Sequence, residues 1–361
     1  MKNLSIGRNW FLISLIILSG CTKDTFVNKK VDQLKGPTPY NLNLPGYFPD
    51  MPIPYDNPLT VEGVELGRRL FYDPVLSGDN RQSCATCHQQ AFGFTDNGNR
   101  FSKGIDGFEG GRNSMPILNL GWSSLFNWDG RFKSLEEQVP NPILLQFEMH
   151  QNLYEALEEL RNHPDYPGYF EKAFGDREIT VDRLAKSISQ FMRTIYGGSP
   201  KMLPGLGQQL RTPAENRGFQ VFIDESKGDC FHCHEVSIFT TNFKMMNNGL
   251  VQNTDTDPGF FGQTGNPEDK GKFKVPSLIN LKYTAPYMHD GRFSSLDSVI
   301  AFYDHGYHYS QSLDINLKKH TDANQKPIPR SWTAQDKKDL IAFLLCLEDT
   351  TVLRKEAYSK P

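Results

Sequence analysis

The chain opens on an apolar run, Trp10 to Leu18, broken only by Ser14 and preceded by Lys2 and Arg8. From Thr22 to about Pro58 the pattern turns polar and proline-rich, with Pro37, Pro39, Pro45, Pro49, Pro52 and Pro54 opposing regular helix or sheet. Helical signals then dominate. Ser134 with Glu137 and Thr212 with Glu215 have capping-box spacing, Pro213 suits a first helical position, and amphipathic runs open at Thr180 and Thr333. No sustained period-two alternation appears, so the expected class is all-α. The stretch from Gly197 through Arg211 is the best linker.

The N-terminal run is too short to span a bilayer and has the length of a signal-peptide core. It ends in Leu18-Ser19-Gly20-Cys21, which resembles the lipobox of bacterial lipoproteins. Residues 1–20 are therefore expected to be removed and Cys21 lipidated; an ordinary signal with an incidental cysteine is the alternative. Export follows on both readings. Residues 21–58 then read as a tether lifting the folded part off the membrane. A formal charge of −3 with interleaved signs offers no basic face for nucleic acid.

The chemistry is concentrated in two C-x-x-C-H motifs, Cys84-Ala85-Thr86-Cys87-His88 and Cys230-Phe231-His232-Cys233-His234. Each supplies two thiols at the spacing that adds across the vinyl groups of a haem, then an imidazole to ligate the iron. A zinc site would want its two halves roughly 15–20 residues apart, whereas here residues 88–229 intervene. A thioredoxin-like pair needs neither the trailing histidine nor a second copy. Of six cysteines, four go to haem and one to the anchor, leaving Cys346 as an inert thiol in an apolar helical run.

Comparing the halves reveals an internal repeat. Gly67-Arg68-Arg69-Leu70-Phe71 precedes the first motif and Gly218-Phe219-Gln220-Val221-Phe222 the second. Met115 to Leu120 and Asp129 to Leu135 match Val275 to Leu281 and Asp290 to Leu296. The expectation is two tandem cytochrome c-like haem domains, residues 59–200 and 201–361. Aligning Leu135 with Leu296 sets Pro142 opposite Tyr303. Proline cannot ligate iron and a tyrosinate can, so the first haem is expected open and the second closed. No histidine lies between Gln89 and Met149 to block the first; Met115 and Met149 remain possible thioether ligands.

With Trp128-Asp129-Gly130-Arg131, Leu135-Glu136-Glu137-Gln138, Glu148-Met149 and Thr284 to Gly291 added to these motifs, the sequence resembles the bacterial dihaem cytochrome c peroxidases and their MauG branch, from about Asn57 to Leu347. The resemblance implies that Gln138 and Glu148 serve the peroxide site, Glu148 as proton relay, with Trp128 relaying electrons between haems. It also implies a Ca2+ held by Asn113, Thr284 and Pro286, whose oxygen ligation suits a hard cation. Two departures stand out. The loop Ser102 to Gly107 lacks the histidine that blocks the active iron in many family peroxidases, and Tyr303, as in the MauG branch, stands where methionine is common; Met288 is the rival ligand. The expected function is a lipid-anchored periplasmic cytochrome-c peroxidase that reduces H2O2 with electrons from a small donor such as cytochrome c. The alternatives are a MauG-like oxidase of a protein or organic substrate, and a pure electron-transfer dihaem lipoprotein.

Overall fold

Residues 36–251 and 256–361 are described by the computed structural model. The expected signal peptide and Cys21 lie outside the described residues. The longer helices are α1 (Val61–Tyr72), α2 (Leu153–Asn162), α3 (Tyr166–Phe174), α4 (Val181–Thr194), α5 (Pro213–Ile223), α6 (Leu296–Ala301) and α7 (Ala334–Leu345). Hydroxyl oxygens of Thr60, Thr180, Thr212 and Thr333 cap α1, α4, α5 and α7 by accepting backbone N–H groups in the first turn. Full capping boxes form at Thr212 with Glu215 and Thr333 with Asp336. At Ser134 the box is incomplete, because the exposed Glu137 carboxylate accepts from the N–H of Lys133, one residue further back, at 2.9 Å. The only strands among the described residues, β1 (Met245–Met246) and β2 (Phe273–Lys274), pair antiparallel. The remaining regular elements among the described residues are helical, joined by turns and irregular segments.

Each half is organised by one close helix crossing. Helix α1 meets α4 at Gly67, where a Cβ would stand 1.8 Å from the Ser187 carbonyl oxygen. Helix α5 meets α7 at Gly218, where a Cβ would stand 2.0 Å from the Asp339 carbonyl oxygen. Both glycines belong to the repeated segments, so the repeat is one of packing as well as of sequence. The equivalent asparagines behave alike. Asn119 exchanges hydrogen bonds with the backbone of Gly197, and Asn280 with that of Asp349. Phe71, Phe191, Phe222 and Phe343 lie in one continuous core that runs through both halves.

Two connecting segments are more firmly held than their composition suggests. Gly197, Gly198 and Ser199, in the stretch expected as a linker, are buried, and their N–H groups donate to Asn119, Asp349 and the Ile238 carbonyl. Residues 36–58, expected as part of a free tether, lie against the folded body, and that expectation is corrected for them. Phe48 sits within 6 Å of Trp122, Tyr196 and Phe239, Trp122 Nε1 donates to Pro49 and Asp50 carbonyls, and Asn57 is buried against Gln190 and Glu136. Proline forbids regular structure there but not packing, and the aromatic contacts supply the apolar burial.

Candidate functional site

Each C-x-x-C-H motif folds as a single helical turn. The His88 N–H donates to the Cys84 carbonyl at 3.0 Å and the His234 N–H to the Cys230 carbonyl at 2.9 Å. This places two thiols one turn apart with the imidazole following directly. Nδ1 of His88 lies 3.0 Å from the Phe94 carbonyl oxygen, and Nδ1 of His234 lies 3.4 Å from that of Thr240. A carbonyl only accepts, so each Nδ1 carries the proton and each Nε2 keeps the lone pair that a metal requires. The residues that aim these carbonyls are strained. Phe94 has φ +61° and Thr240 φ +52°, a left-handed conformation that aromatic and β-branched residues seldom adopt.

Burial sets the protonation of both motifs. It pushes the thiols of Cys84, Cys230 and Cys233 up to about 12 and that of Cys87 to about 11, so all four are thiols. It draws His88 down and His234 to about 4, leaving neutral imidazoles, the ligating form. Cys346, by contrast, is a buried thiol at the end of α7, raised to about 11.

Cys230, Cys233 and His234 line a largely apolar cavity that opens to solvent. Tyr303 reaches it from a π-helical turn, Phe302–Gly306, that follows α6; such turns recur at functional sites. Asn248 Nδ2 donates to the Tyr303 hydroxyl at 3.3 Å and lies 3.6 Å from Met288 Sδ. Both rival ligands therefore share one wall of this cavity. Burial raises the Tyr303 phenol, and the Asn248 N–H opposes the shift by favouring phenolate. Two free thiols, a neutral imidazole with Nε2 available and an apolar cavity beside them fit a covalently held haem.

At the first motif the decisive group is Glu148. It follows the turn Pro140–Leu144, which carries Pro142, and is pinned by its own N–H to the Leu145 carbonyl and by the Ile105 N–H to its carbonyl, at 2.9 and 3.0 Å. Burial raises its carboxyl to about 7 against the pull of Arg131. Its charge also raises the thiols of Cys84 and Cys87, so it lies within electrostatic range of the first motif. Gln138 ends the half-buried turn Leu135–Gln138, and its side-chain amide has no hydrogen bond among the described residues. The Met115 backbone acts on the His88 imidazole, and Met149 is packed in the core.

Between the motifs, Trp128 lines the cavity of the second and donates from Nε1 to the Asn113 carbonyl at 2.8 Å. Arg131, three residues on, acts on Glu148 of the first. One short turn thus lines the second site and acts electrostatically on the first. The Trp128 ring stands edge-on to His289, which stacks on Phe273 at 3.6 Å. Asn113, Thr284 and Pro286 line the same cavity. The Asn113 amide donates to the carbonyls of Asn99 and Arg100, leaving its own oxygen and the carbonyls of Thr284 and Pro286 without hydrogen bonds among the described residues. Sequence reasoning missed Asn248 and Arg131 as site residues: Asn248 falls in no motif, Arg131 stands in the Trp128 to Arg131 block without a role being assigned to it, and each acts on a partner further along the chain.

The model of the di-haem cytochrome c peroxidase family matches residues 61–201. The methylamine utilization protein MauG of Methylorubrum extorquens is 35% identical over 301 residues, covering 82% of this chain and 81% of that protein. The cytochrome c551 peroxidase of Nitrosomonas europaea is 34% identical over 260 residues, covering 70% and 75%. A crystal structure of a MauG-like protein associated with microbial copper homeostasis superposes with a TM-score of 0.78 at 33% identity, covering 89% of this chain and 99% of that one. The chain belongs to the dihaem cytochrome c peroxidase and MauG family. Membership implies two haem c groups and oxidoreductase chemistry of the peroxidase type.

Proposed function

We propose that this protein is a dihaem c-type peroxidase that reduces H2O2 to water with electrons from a small donor such as cytochrome c. The observation that carries this reading is Glu148, a carboxyl raised to about 7 within electrostatic range of the first haem-binding turn, with Pro142 where the second half has Tyr303. Haem iron, when bound, supplies the point at which peroxide and electrons meet. Glu148 takes a proton from one peroxide oxygen and returns it to the other as the O–O bond breaks; two electrons and two protons from outside convert H2O2 to two waters. Gln138, its amide unengaged, orients peroxide. Trp128 is the relay between the sites, supported by its place on the second cavity and by the link through Arg131 to Glu148.

His88 and His234 would hold the two haem irons, with Tyr303 as a further ligand to the second. The halves act as two haem domains, 59–200 and 201–361. Asn113, Thr284 and Pro286 offer three oxygens without hydrogen bonds to a Ca2+. Lipidation at Cys21 anchors the protein in the periplasm. The described residues contain no helix long and apolar enough to cross a membrane.

A second reading, a MauG-like oxidase of a protein or organic substrate, is favoured by Tyr303 on the second cavity and by the relatives named MauG. Adding H2O2 to the fully oxidised holoprotein with reduced cytochrome c separates the readings. Steady oxidation of the cytochrome without a lag is expected. A lag abolished only by pre-reduction refutes an open first site, and negligible turnover with a long-lived oxidised state assigns the oxidase role.

A further inference from the structure

The second cavity carries two buried cations that form no ion pair with a carboxylate among the described residues. Lys274, on β2, is 6% exposed, and Arg330 is 7% exposed; both line the cavity. Among the described residues Lys274 Nζ makes two long hydrogen bonds, to Ser123 Oγ at 3.4 Å and the Leu125 carbonyl at 3.5 Å, lies 5.8 Å from the centre of the Phe126 ring, and forms no ion pair. Burial without a counter-charge draws its ammonium down to about 8. Arg330 donates from Nη1 to the Lys227 and Gly228 carbonyls at 3.0 and 3.4 Å, and its buried Nε has no partner. The acids on the same wall are engaged elsewhere. Asp229 pairs with Lys319 at 2.7 Å and His232 at 3.2 Å, and Asp314 caps Asn316.

A buried charge is retained where something compensates it. Porphyrin of the haem c type carries two carboxylate side chains, the same number as the uncompensated cations, and is the group that the thiols of this cavity fit. We propose that Lys274 and Arg330 are the counter-cations for the two carboxylates of the porphyrin attached at Cys230 and Cys233. This rests on the haem that family membership implies, and is independent of the choice between peroxidase and oxidase. Reduction adds one electron to the centre, so a nearby buried cation favours the reduced form and raises that haem's potential.

The test is a redox titration of the full-length holoprotein followed by absorption, with intact-mass counting of covalent haems. Lys274→Met and Lys274→Gln should each lower one of the two midpoints and leave the other unmoved. Lys274→Arg should stay near wild type, and Arg330→Gln should lower the same midpoint as the lysine variants. Unmoved midpoints in Lys274→Met and Lys274→Gln, an equal fall in Lys274→Arg, or a shift of the other midpoint in Arg330→Gln overturns the proposal. Should the Met and Gln variants lose one haem by mass while Arg keeps both, the charge role stands; loss in all three overturns it. Fewer than two haems on the wild-type chain removes the cofactor reading itself, and this proposal with it.

Discussion

Desolvation acts in the same direction on two acids, Glu148 and Tyr303, yet prepares them for opposite tasks. The phenol needs a cation before it can ionise, and a metal ion inverts the local protonation preference where it binds. The carboxyl needs none: at about 7 it exchanges its proton near neutrality. The shift is upward, so below that value Glu148 already holds a proton and cannot accept one from peroxide, whereas above it the carboxylate is available. Peroxide consumption at limiting peroxide should therefore rise with pH through an apparent pKa near 7 and level off above it. Glu148→Gln should abolish that limb and slow turnover by roughly 10²-fold. Initial-rate profiles of both proteins from about pH 5 to about 9 check this, and a variant with the wild-type profile removes Glu148 from the mechanism.

The paired crossings at Gly67 and Gly218 make a prediction at the scale of the element. Neither glycine has room for a methyl group, because the obstructing atom is a backbone carbonyl rather than the end of a flexible side chain. Gly218→Ala must separate α5 from α7 and should cost about 1–3 kcal/mol, read as a lowered denaturation midpoint at unchanged slope. A midpoint equal to wild type would show that the crossing is looser than the backbone contact indicates. The same elements show what sequence makes visible. Thr180, Thr212 and Thr333 were legible as helix starts because a cap and its partner lie within one turn, and the two haem motifs because all their chemistry lies in five consecutive residues. Glu148, Gln138 and Trp128 were identified through family resemblance rather than through any local signal. Asn248, Lys274 and Arg330 stayed hidden because each matters through groups far along the chain, and residues 36–58 because composition does not show that Phe48 will meet Trp122, Tyr196 and Phe239.

For the whole molecule, the question is what holds two similar halves in a fixed relation, and Asn113 is where the connections meet. Its N–H donates to the His289 carbonyl at 2.8 Å, its own carbonyl accepts from Trp128, and its side-chain amide bonds to Asn99 and Arg100, while Arg100 Nε donates to the Asp290 carbonyl. Residues on both sides of the repeat are thus joined through one side chain and its backbone. With the carbonyls of Thr284 and Pro286 on the same cavity, its free oxygen supplies three neutral donors, a set suited to a hard cation that keeps some of its water. Asn113→Ala leaves both backbone bonds intact and removes the amide with its oxygen. It should lower Ca2+ content after dialysis against a metal-free buffer and reduce thermal stability, while intact mass still reports two haems. If calcium is held in equal amount by the variant, these three residues are not the ligands; if none is held by the wild type, the halves are joined by the shared core and these hydrogen bonds without a cation.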